Sequence, residues 1–381
     1  MNSMNTPNSV FTDSKNHYDI LDGLRGVAAI MVIIFHLFEA FSGGNHLKQI
    51  INHGYLAVDF FFVLSGFVVG YAYDDRWGKM TLGGFFKRRI IRLHPMVIMG
   101  MIIGAIGFYF SASPNLFPGI SQVPVWKMLI VMLIGFTLIP VPTSMDIRGW
   151  GEMHPLDGPA WSLFFEYIAN ILYGLFIRKF SNRVLAILVF IAGCALIHLA
   201  VTSPNGDIIG GWSIESSQLR IGFTRLMYPF FAGLLLSRIK PTQIKNAFLW
   251  CSLLIVIILS MPRIGGSQHL WMNGLYDSLS IIFLFPLIVF IGASGEVKGN
   301  FASKTCKFLG DISYPIYITH YPLIYIFTAW VVDHHIQMRN AWPVALLVIL
   351  SAITISYFCL KLYDEPVRKW LAKRFIKKAV K

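Results

Sequence analysis

The sequence predicts an all-α, polytopic membrane protein with ten transmembrane helices and one further apolar segment, residues 126–141, that does not cross the bilayer. Of its 381 residues, 55% are hydrophobic and only 13% are charged, and the mean hydropathy is +0.61. Soluble domains carry about 25% charged residues. Apolar runs of roughly 16 to 22 residues recur from Leu24 to Leu362, and a helix needs about 20 such residues to cross the hydrocarbon.

The apolar runs follow one another with short polar connections. No connection exceeds about 20 residues, which is too short for a second domain with its own core. We therefore predict one membrane domain over residues 1–381, with a short tail at 1–22 and a basic tail at 363–381. The candidate spans are 24–42, 55–73, 93–110, 126–141, 160–177, 184–201, 220–237, 247–261, 273–292, 313–332 and 342–362.

The distribution of basic residues predicts the topology. Cytoplasmic loops of membrane proteins carry an excess of Lys and Arg. Strict alternation of eleven spans would place the basic tail outside, whereas removing 126–141 puts every basic stretch on one side. This segment is then re-entrant or interfacial, and both termini are cytoplasmic in an inner (plasma) membrane. The basic stretches are 74–92, 178–183, 238–245, 293–307 and 361–381; the six connections between them hold only Lys48, Arg148, Arg263 and Arg339.

Several other classes of protein are excluded by the same patterning. The net charge of +13 would suit nucleic-acid binding in a soluble protein, but here the cations lie between apolar runs, so no nucleic-acid partner is predicted. Asp13, Asp19 and Asp22 outnumber Lys15 before the first run, which indicates a retained helix and not a signal peptide. The four cysteines show neither disulfide nor metal spacing, so no metal is predicted; they are Cys194, Cys251, Cys306 and Cys359.

Ionisable residues in the first span indicate a catalytic site. Arg25 and His36 are separated by about 16 Å of rise and about 1,100° of turn, so they share one helix face. His36 would then lie deep in the membrane, with Glu39 near the same face. Histidine is suited to general-base work, and Glu39 or Glu166 could orient its ring, which makes His36, Glu39 and Glu166 the catalytic candidates. The alternative is a buried histidine bonded to a neighbouring helix.

A basic cluster directly precedes the third span. Four cations lie within residues 87–92. The cluster is typical of positive-inside anchoring. Alternatively, Arg89 and Arg92 line a cavity together with Arg25 and bind a multiply phosphorylated ligand at its cytoplasmic mouth, because arginine grips phosphate with paired donors.

Further polar residues lie in apolar surroundings. Asp59 and Glu166 are carboxylates within predicted spans, and we expect both to face the bundle interior. Tyr314, Tyr317 and His320 step by three residues, so they would share one side of a helix. They either line a site or, for the tyrosines, form an aromatic belt at the interface.

Taken together, these motifs resemble the acyltransferase-3 family of membrane acyltransferases, over nearly the whole chain. The resemblance rests on six motifs in family order. They are Leu21–Gly26 followed by His36, Val58–Phe67 with Asp59 and Ser65, Arg89–Arg92 followed by Pro95, Trp161–Leu163 with Glu166, Ser313–Tyr317 with His320, and the final Glu365–Pro366.

The resemblance implies ten core helices and an acyl-CoA donor, with acetyl-CoA favoured, used as a co-substrate with no permanently bound cofactor. Arg25, Arg89 and Arg92 would hold the donor's phosphates, and His36 would meet its thioester. The acceptor implied is a hydroxyl of a cell-surface glycan or similar molecule. The remaining motif residues are expected to bind substrate or act as structural polar groups; they are Asp59, Ser65, Trp161, Tyr314, Tyr317 and His320.

The function expected is therefore O-acyltransfer across the membrane. A proton-coupled or anion transporter using the same ionisable residues is the alternative, and a non-catalytic scaffold for envelope polysaccharide assembly is a third interpretation. The expected partners are acyl-CoA, the glycan acceptor and the lipid bilayer. The chain ends about twenty residues after its last predicted span, so we expect it to act alone or with a separate periplasmic or polysaccharide-assembly protein.

Overall fold

The computed structural model describes residue 15 and residues 17–376 and is all α, as the sequence predicts. Short 3₁₀ turns occupy Gly54–Leu56, Tyr109–Ser111, Ile120–Gln122, Thr143–Met145 and Ile177–Lys179. The helices of this part of the chain are α1 (Asp19–Glu39), α2 (Ala57–Tyr73), α3 (Leu82–Phe108), α4 (Val125–Gly135), α5 (Ala160–Leu175), α6 (Asn182–Thr202), α7 (Ser216–Leu236), α8 (Ala247–Ser260), α9 (Leu270–Leu279), α10 (Phe285–Ser294), α11 (Asn300–Thr319), α12 (Tyr321–Asp333), α13 (Met338–Phe358) and α14 (Glu365–Phe375).

Seven helical stretches in the described residues are long and apolar enough to cross a membrane, or eight if the bent pair α11–α12 is one span. The structure thus shows a multi-pass membrane protein, and the finer count of ten remains a prediction. Helix α4 has only 11 residues, fewer than the segment 126–141 that the sequence marks, and would rise about 16 Å. The seven stretches are Asp19–Glu39, Gly54–Tyr73, Leu82–Ser111, Asn182–Thr202, Ser216–Leu236, Leu270–Ser294 and Met338–Phe375.

Helix α3 begins earlier than the predicted span 93–110. It starts at Leu82, so the basic cluster lies within the helix and not before it. Thr81 caps this start, because its side-chain oxygen accepts a hydrogen bond from the amide of Gly84. The helix continues through Pro95, so the cluster at 87–92 lies in its second and third turns.

The predicted span 313–332 is broken at His320, where α11 and α12 meet at 54°. Pro322 has no amide hydrogen to donate to the preceding turn, which favours a break at this point. The Nδ1 atom of His320 lies 3.0 Å from the carbonyl oxygens of Ile316 and Tyr317, so the imidazole is bonded to the last turn of α11.

The predicted basic tail at 363–381 is helical where it is described. A π-helical turn, Cys359–Asp364, joins α13 directly to α14. Residues 377–381 lie outside the described part, as do residues 1–14, which include Asp13, and residue 16. Only residue 15 and residues 17–22 of the predicted tail at 1–22 are described, and α1 already begins at Asp19.

Glycines allow the central helices to approach closely. A Cβ on Gly26 would come within 2.4 Å of the carbonyl oxygen of Leu309, so α1 and α11 touch backbone to backbone. A Cβ on Gly66 would lie 2.2 Å from the carbonyl oxygen of Phe230, and Gly233 faces α2 in the same way. Such small-residue contacts are the usual means of packing helices in membranes. They hold α1 and α2 in the middle of the bundle.

The connections between helices gather at two ends of the bundle. At the basic end, defined by residues 74–81, 176–181, 237–246 and 295–299, the Nε atom of Arg238 lies 2.9 Å from Asp74. At the opposite end, defined by 40–53, 109–124, 142–159, 203–215, 261–269 and 334–337, His46 lies 2.8 Å from Asp207. Helix α1 runs from the basic end to the opposite end.

Candidate functional site

The pair His36 and Glu39 stands at the end of α1. The Nδ1 atom of His36 lies 2.6 Å from Oε2 of Glu39, one turn away on the same face. The side chain of His36 is 16% exposed and faces a cavity at the opposite end of the bundle. With Nδ1 held by a carboxylate, Nε2 is the nitrogen left to act on a group in the cavity. The arrangement suits general-base or nucleophilic catalysis.

His36 lies nearer the helix end than its sequence position predicts. The predicted span is 24–42, whereas α1 runs from Asp19 to Glu39, so His36 lies in the last turn of the helix. Asp19 and Asp22 occupy the first turn, where negative charge interacts favourably with the helix dipole. The offset between Arg25 and His36 is unchanged, because it depends only on helix geometry.

Aromatic rings fix the orientation of His36. His320 stacks on it with ring centroids 5.7 Å apart, and Tyr321 meets it edge-on at 4.7 Å. The break between α11 and α12 brings both of these side chains to α1. His320 is fully buried, and its Nε2 atom has no hydrogen-bond partner among the described residues.

The cavity in front of His36, called the outer cavity below, has a volume of about 510 Å³. Eight aromatic side chains from α1, α5, α11, α12 and the connections at the opposite end contribute to its lining. Aromatic faces of this kind pack against sugar rings as well as against other apolar groups. The aromatic lining residues are Phe35, Tyr55, Trp150, Trp161, Trp212, Tyr317, Tyr321 and Tyr325.

A buried carboxylate, Glu152, also faces the outer cavity. The hydroxyl of Tyr325 donates to its two oxygens at 2.7 and 2.8 Å, and the guanidinium of Arg148 lies 3.8 Å away. Burial raises the pKa of Glu152 from 4.5 to about 7, although Arg148 opposes this. The connection that carries it is held in place, since the amide of Met153 donates to the carbonyl of Trp212 at 2.7 Å.

Arg225, which lines the outer cavity, belongs to a buried ion pair. Arg225 of α7 contacts both oxygens of Asp59 at 3.2 and 2.6 Å and donates to the carbonyls of Tyr55 and Gly210. Both side chains are almost completely buried. Asp59 therefore faces the interior, as we expected, and its partner is a second charge from a different span.

A second cavity, called the inner cavity below, opens at the basic end with a volume of about 280 Å³. Arg25, Arg89 and Arg92 all line it, and Arg368 of α14 joins them. This is the grouping of three arginines that the sequence predicts. Four guanidinium groups around one cavity suit a ligand with several phosphates.

The three arginines are held to different degrees. Arg25 contacts Asp22 at 2.7 Å and donates to Ser313 at 2.9 Å. Arg89 is 7% exposed and its Nε atom has no hydrogen-bond partner among the described residues. Arg92 is exposed and makes no ion pair with any of the described residues. Arg92 and the free edge of Arg89 are thus the donors most available to a ligand.

Glu166 does not orient His36. Its Oε1 atom accepts from Arg89 at 2.8 Å and from the hydroxyl of Ser65 at 2.8 Å, on the wall of the inner cavity. Helix α5 brings it to α3, whereas Glu39 already lies one turn from His36. The interpretation of Glu166 as a partner of His36 is therefore corrected: Glu166 and Ser65 position Arg89.

The two cavities meet at Tyr317. Tyr317 and Val58 line both of them, and the hydroxyl of Tyr317 lies 2.7 Å from that of Ser162, which lines the inner one. Tyr314 is one turn nearer the basic end, lines the inner cavity and donates to the carbonyl of Leu93 at 2.6 Å. A ligand arm that passes Tyr317 would run from the arginines towards His36.

Sequence reasoning missed several residues of this site. Arg225 is a cation within an apolar span, which by itself marks a functional or structural partner, and Asp59 required one. Glu152, Arg148 and Tyr325 meet only through the folding of a connection, so no local pattern indicates them. The described residues contain no group of three His, Cys, Asp or Glu side chains placed to hold a metal ion.

Comparison with known proteins gives one family over almost the whole chain. A family model described as "Acyltransferase domain", the acyltransferase-3 family, matches residues 18–361. "O-acetyltransferase OatA" of Staphylococcus aureus is 24% identical over 373 residues, covering 93% of this chain and 58% of that protein. "Putative peptidoglycan O-acetyltransferase YrhL" of Bacillus subtilis is 26% identical over 369 residues, covering 91% of this chain and 54% of that protein.

A third relative, "Protein 2 in picA locus" of Rhizobium radiobacter, is 33% identical over 160 residues, covering 40% of this chain and 79% of that protein. The chain thus spans little more than half the length of the two O-acetyltransferases it matches. No solved structure matches it. The family model covers far more than half of the residues, and the resemblance read from the motifs is confirmed: the chain belongs to the acyltransferase-3 family of membrane acyltransferases.

Proposed function

We propose that this protein is an integral membrane O-acyltransferase that moves an acetyl or other short acyl group from acyl-CoA to a hydroxyl of a cell-surface glycan. One observation carries the proposal. A histidine held by a carboxylate opens on one cavity, and that cavity meets at Tyr317 a second cavity lined by Arg25, Arg89 and Arg92. Two relatives are named O-acetyltransferases, one of them a putative peptidoglycan O-acetyltransferase, which favours the acetyl group and the glycan.

The inner cavity is the proposed donor site. The phosphates of acyl-CoA would bind Arg92 and the free edge of Arg89, with Arg25 behind them. Guanidinium groups bind phosphate through charge-assisted hydrogen bonds. The acyl-bearing arm would extend past Tyr317, which places the thioester at the outer cavity, about 16 Å along α1 from Arg25.

The outer cavity is the proposed acceptor site, and His36 is the proposed catalytic residue. In one route, Nε2 of His36 takes the proton of the acceptor hydroxyl while the hydroxyl oxygen attacks the carbonyl carbon of the thioester. The carbon–sulfur bond breaks, and the coenzyme A thiolate takes up a proton. In the other route, Nε2 attacks the thioester first and coenzyme A leaves as the thiolate, which takes up a proton. The hydroxyl oxygen then attacks the acyl-imidazole, the carbon–nitrogen bond breaks, and the hydroxyl proton passes to the freed Nε2. Glu39 stabilises the charged ring in both.

The assignment of His36 is tested with purified protein in lipid nanodiscs. We expect His36→Ala to lose at least about a hundredfold in acetyl-CoA turnover, since general-base catalysis contributes about 10² to 10⁴. His198→Ala is the matched control, because His198 is exposed on α6 and lines neither cavity. Turnover of His36→Ala within a few-fold of wild type would refute the assignment. Rapid quenching without acceptor separates the routes, because only the second gives a burst of acylated protein.

We also propose that the chain crosses the membrane ten times, with both termini in the cytoplasm and the protein in the plasma membrane. Helices α5 and α8 are short, with 16 and 14 residues, but each joins connections at opposite ends of the bundle. Counting them with the seven long stretches and the bent pair gives ten crossings. The test places single cysteines in a chain without native cysteines and treats them with an impermeant thiol reagent. A cysteine at 43–48 should react only from outside the membrane, and one at 240–245 only from inside.

A transporter would use the same two cavities in a different way. It would move a substrate between the two ends without consuming acyl-CoA. Flux in sealed vesicles that is independent of acyl-CoA, with no acylated product, would favour transport over the proposed reaction.

A further inference from the structure

Every cation that faces the outer cavity is already paired with a carboxylate. The cationic or cation-forming side chains that line it are Arg225, His36 and His46. Arg225 contacts Asp59 at 2.6 Å, and His36 contacts Glu39 at 2.6 Å. His46 contacts the buried carboxylate of Asp207 at 2.8 Å, and a second cation, Arg263, contacts that carboxylate from behind.

Glu152 is different, because among the described residues no cation contacts it as closely as the partners of the other three pairs do. Its nearest cation is Arg148 at 3.8 Å, and the guanidinium of Arg148 is engaged elsewhere: it lies 3.5 Å from the ring centre of Tyr325 and donates to Pro155 and Ser111. Arg148 does not line the outer cavity, whereas Glu152 does. Of the described residues, those that a ligand meets in the cavity include this carboxyl group and no unpaired cation.

The shape of the cavity fits a small part of a saccharide. Its volume of about 510 Å³ is within the common range for small-molecule sites, about 300 to 1,000 Å³. Three tryptophans line it: Trp150, Trp161 and Trp212. Their flat faces suit sugar rings, and the carboxyl group of Glu152 in the same cavity accepts hydrogen bonds from sugar hydroxyls.

We propose that the outer cavity admits a sugar unit that is uncharged or carries an amine, excludes one that carries a carboxylate or phosphate, and uses Glu152 as the residue that discriminates. The inference rests on the proposed function, because it specifies the acceptor of that reaction. A like charge placed against a buried carboxylate is strongly unfavourable, so it selects against wrong partners more than it strengthens binding of the right one.

The test compares three disaccharides of equal size: cellobiose, cellobiouronic acid, which carries one carboxylate, and the disaccharide of chitosan, which carries amines. Equilibrium binding to the protein in nanodiscs at pH 8 is measured for wild type and for His36→Ala. We expect cellobiouronic acid to bind at least about tenfold more weakly than cellobiose, and the chitosan disaccharide to bind no more weakly than cellobiose. Comparable binding of the acid, or no binding of any of the three, overturns the inference.

Three variants assign the discrimination to a residue. Glu152→Gln keeps the shape and the hydrogen bond from Tyr325, so we expect it to bring the two affinities within about threefold. Tyr325→Phe removes the hydrogen bond but keeps the charge, and Glu215→Gln removes an exposed charge that does not line the cavity; both should keep the discrimination. Equal loss of discrimination in Tyr325→Phe and Glu152→Gln would show that Glu152 acts through structure alone and would overturn its role.

Binding and turnover together separate this inference from the proposed function. Charge-selective binding by both wild type and His36→Ala, with no acyl transfer to any sugar, supports the selective cavity and contradicts the proposed reaction. Acyl transfer to cellobiose and cellobiouronic acid with equal efficiency supports the reaction and contradicts the selection.

Discussion

Replacement of Glu39 by Gln is the most direct test of how His36 works. The 2.6 Å contact between Nδ1 of His36 and Glu39 is a charge-assisted hydrogen bond when the ring is protonated, as it becomes during either catalytic route. Hydrogen bonds to charged groups contribute about 1.5–3 kcal/mol. If this stabilisation is realised mainly in the transition state, Glu39→Gln should lower kcat by roughly 10- to 150-fold.

The assay is steady-state acetyl transfer in nanodiscs at saturating acetyl-CoA. The KM for acetyl-CoA should stay within about twofold of wild type, because Glu39 does not line the inner cavity and the change acts after donor binding. Glu166→Gln is the informative comparison: it disturbs Arg89, so it should raise the KM for acetyl-CoA more than it lowers kcat. If Glu166→Gln lowers kcat strongly while Glu39→Gln stays within about threefold of wild type, the geometry has been misinterpreted.

Three further outcomes are expected. Asp59→Ala leaves the buried cation of Arg225 unpaired and should lower the free energy of unfolding by about 3–5 kcal/mol, measured by denaturation in detergent. Adding Arg225→Met should recover most of the lost stability. No recovery in the double variant would contradict the pairing. Arg92→Ala should weaken coenzyme A binding about tenfold or more, and the loss should shrink at high salt; an equal loss in the exposed neighbour Lys87→Ala would indicate a non-specific charge effect. Burial raises the pKa of Glu152 from 4.5 to about 7. Between these two pH values the folded protein keeps a proton that the unfolded chain has released. The free energy of unfolding should therefore fall by about 3 kcal/mol as the pH rises from 4.5 to 7. Melting curves at pH 5 and 8 should show this difference in wild type and lose most of it in Glu152→Gln.

Arg25 and His36 of α1 show what the local sequence pattern can and cannot predict. Their shared face and their separation follow from helix periodicity alone, which any chain of this sequence must obey once it is helical. The position of His36 in the last turn does not follow, because the predicted span continues to residue 42 whereas α1 ends at Glu39. The apolar run thus predicts the transmembrane helix correctly but places its two ends at residues 24 and 42, whereas α1 runs from Asp19 to Glu39.

The carboxylates show where sequence reasoning stops. The sequence places Glu39 near His36 by helix spacing and offers Glu166 as an alternative, since nothing local says which helix α5 faces. Packing brings Glu166 to Arg89, 77 residues away in the chain, and leaves Glu39 to His36. Pairing between distant spans is set by which helix faces touch, and that is a property of the bundle.

The sequence by itself determined that the chain enters the membrane repeatedly, that its basic residues gather at one end, and that His36 shares a helix face with Arg25. These features depend on the transfer of side chains from water to hydrocarbon and on helix periodicity, both of which are local. Only the tertiary structure decided that two cavities meet at Tyr317, that α11 and α12 bend to bring His320 against His36, and that Glu152 faces the outer cavity. Those features arise from contacts between residues far apart in the chain, and hydropathy carries no information about them.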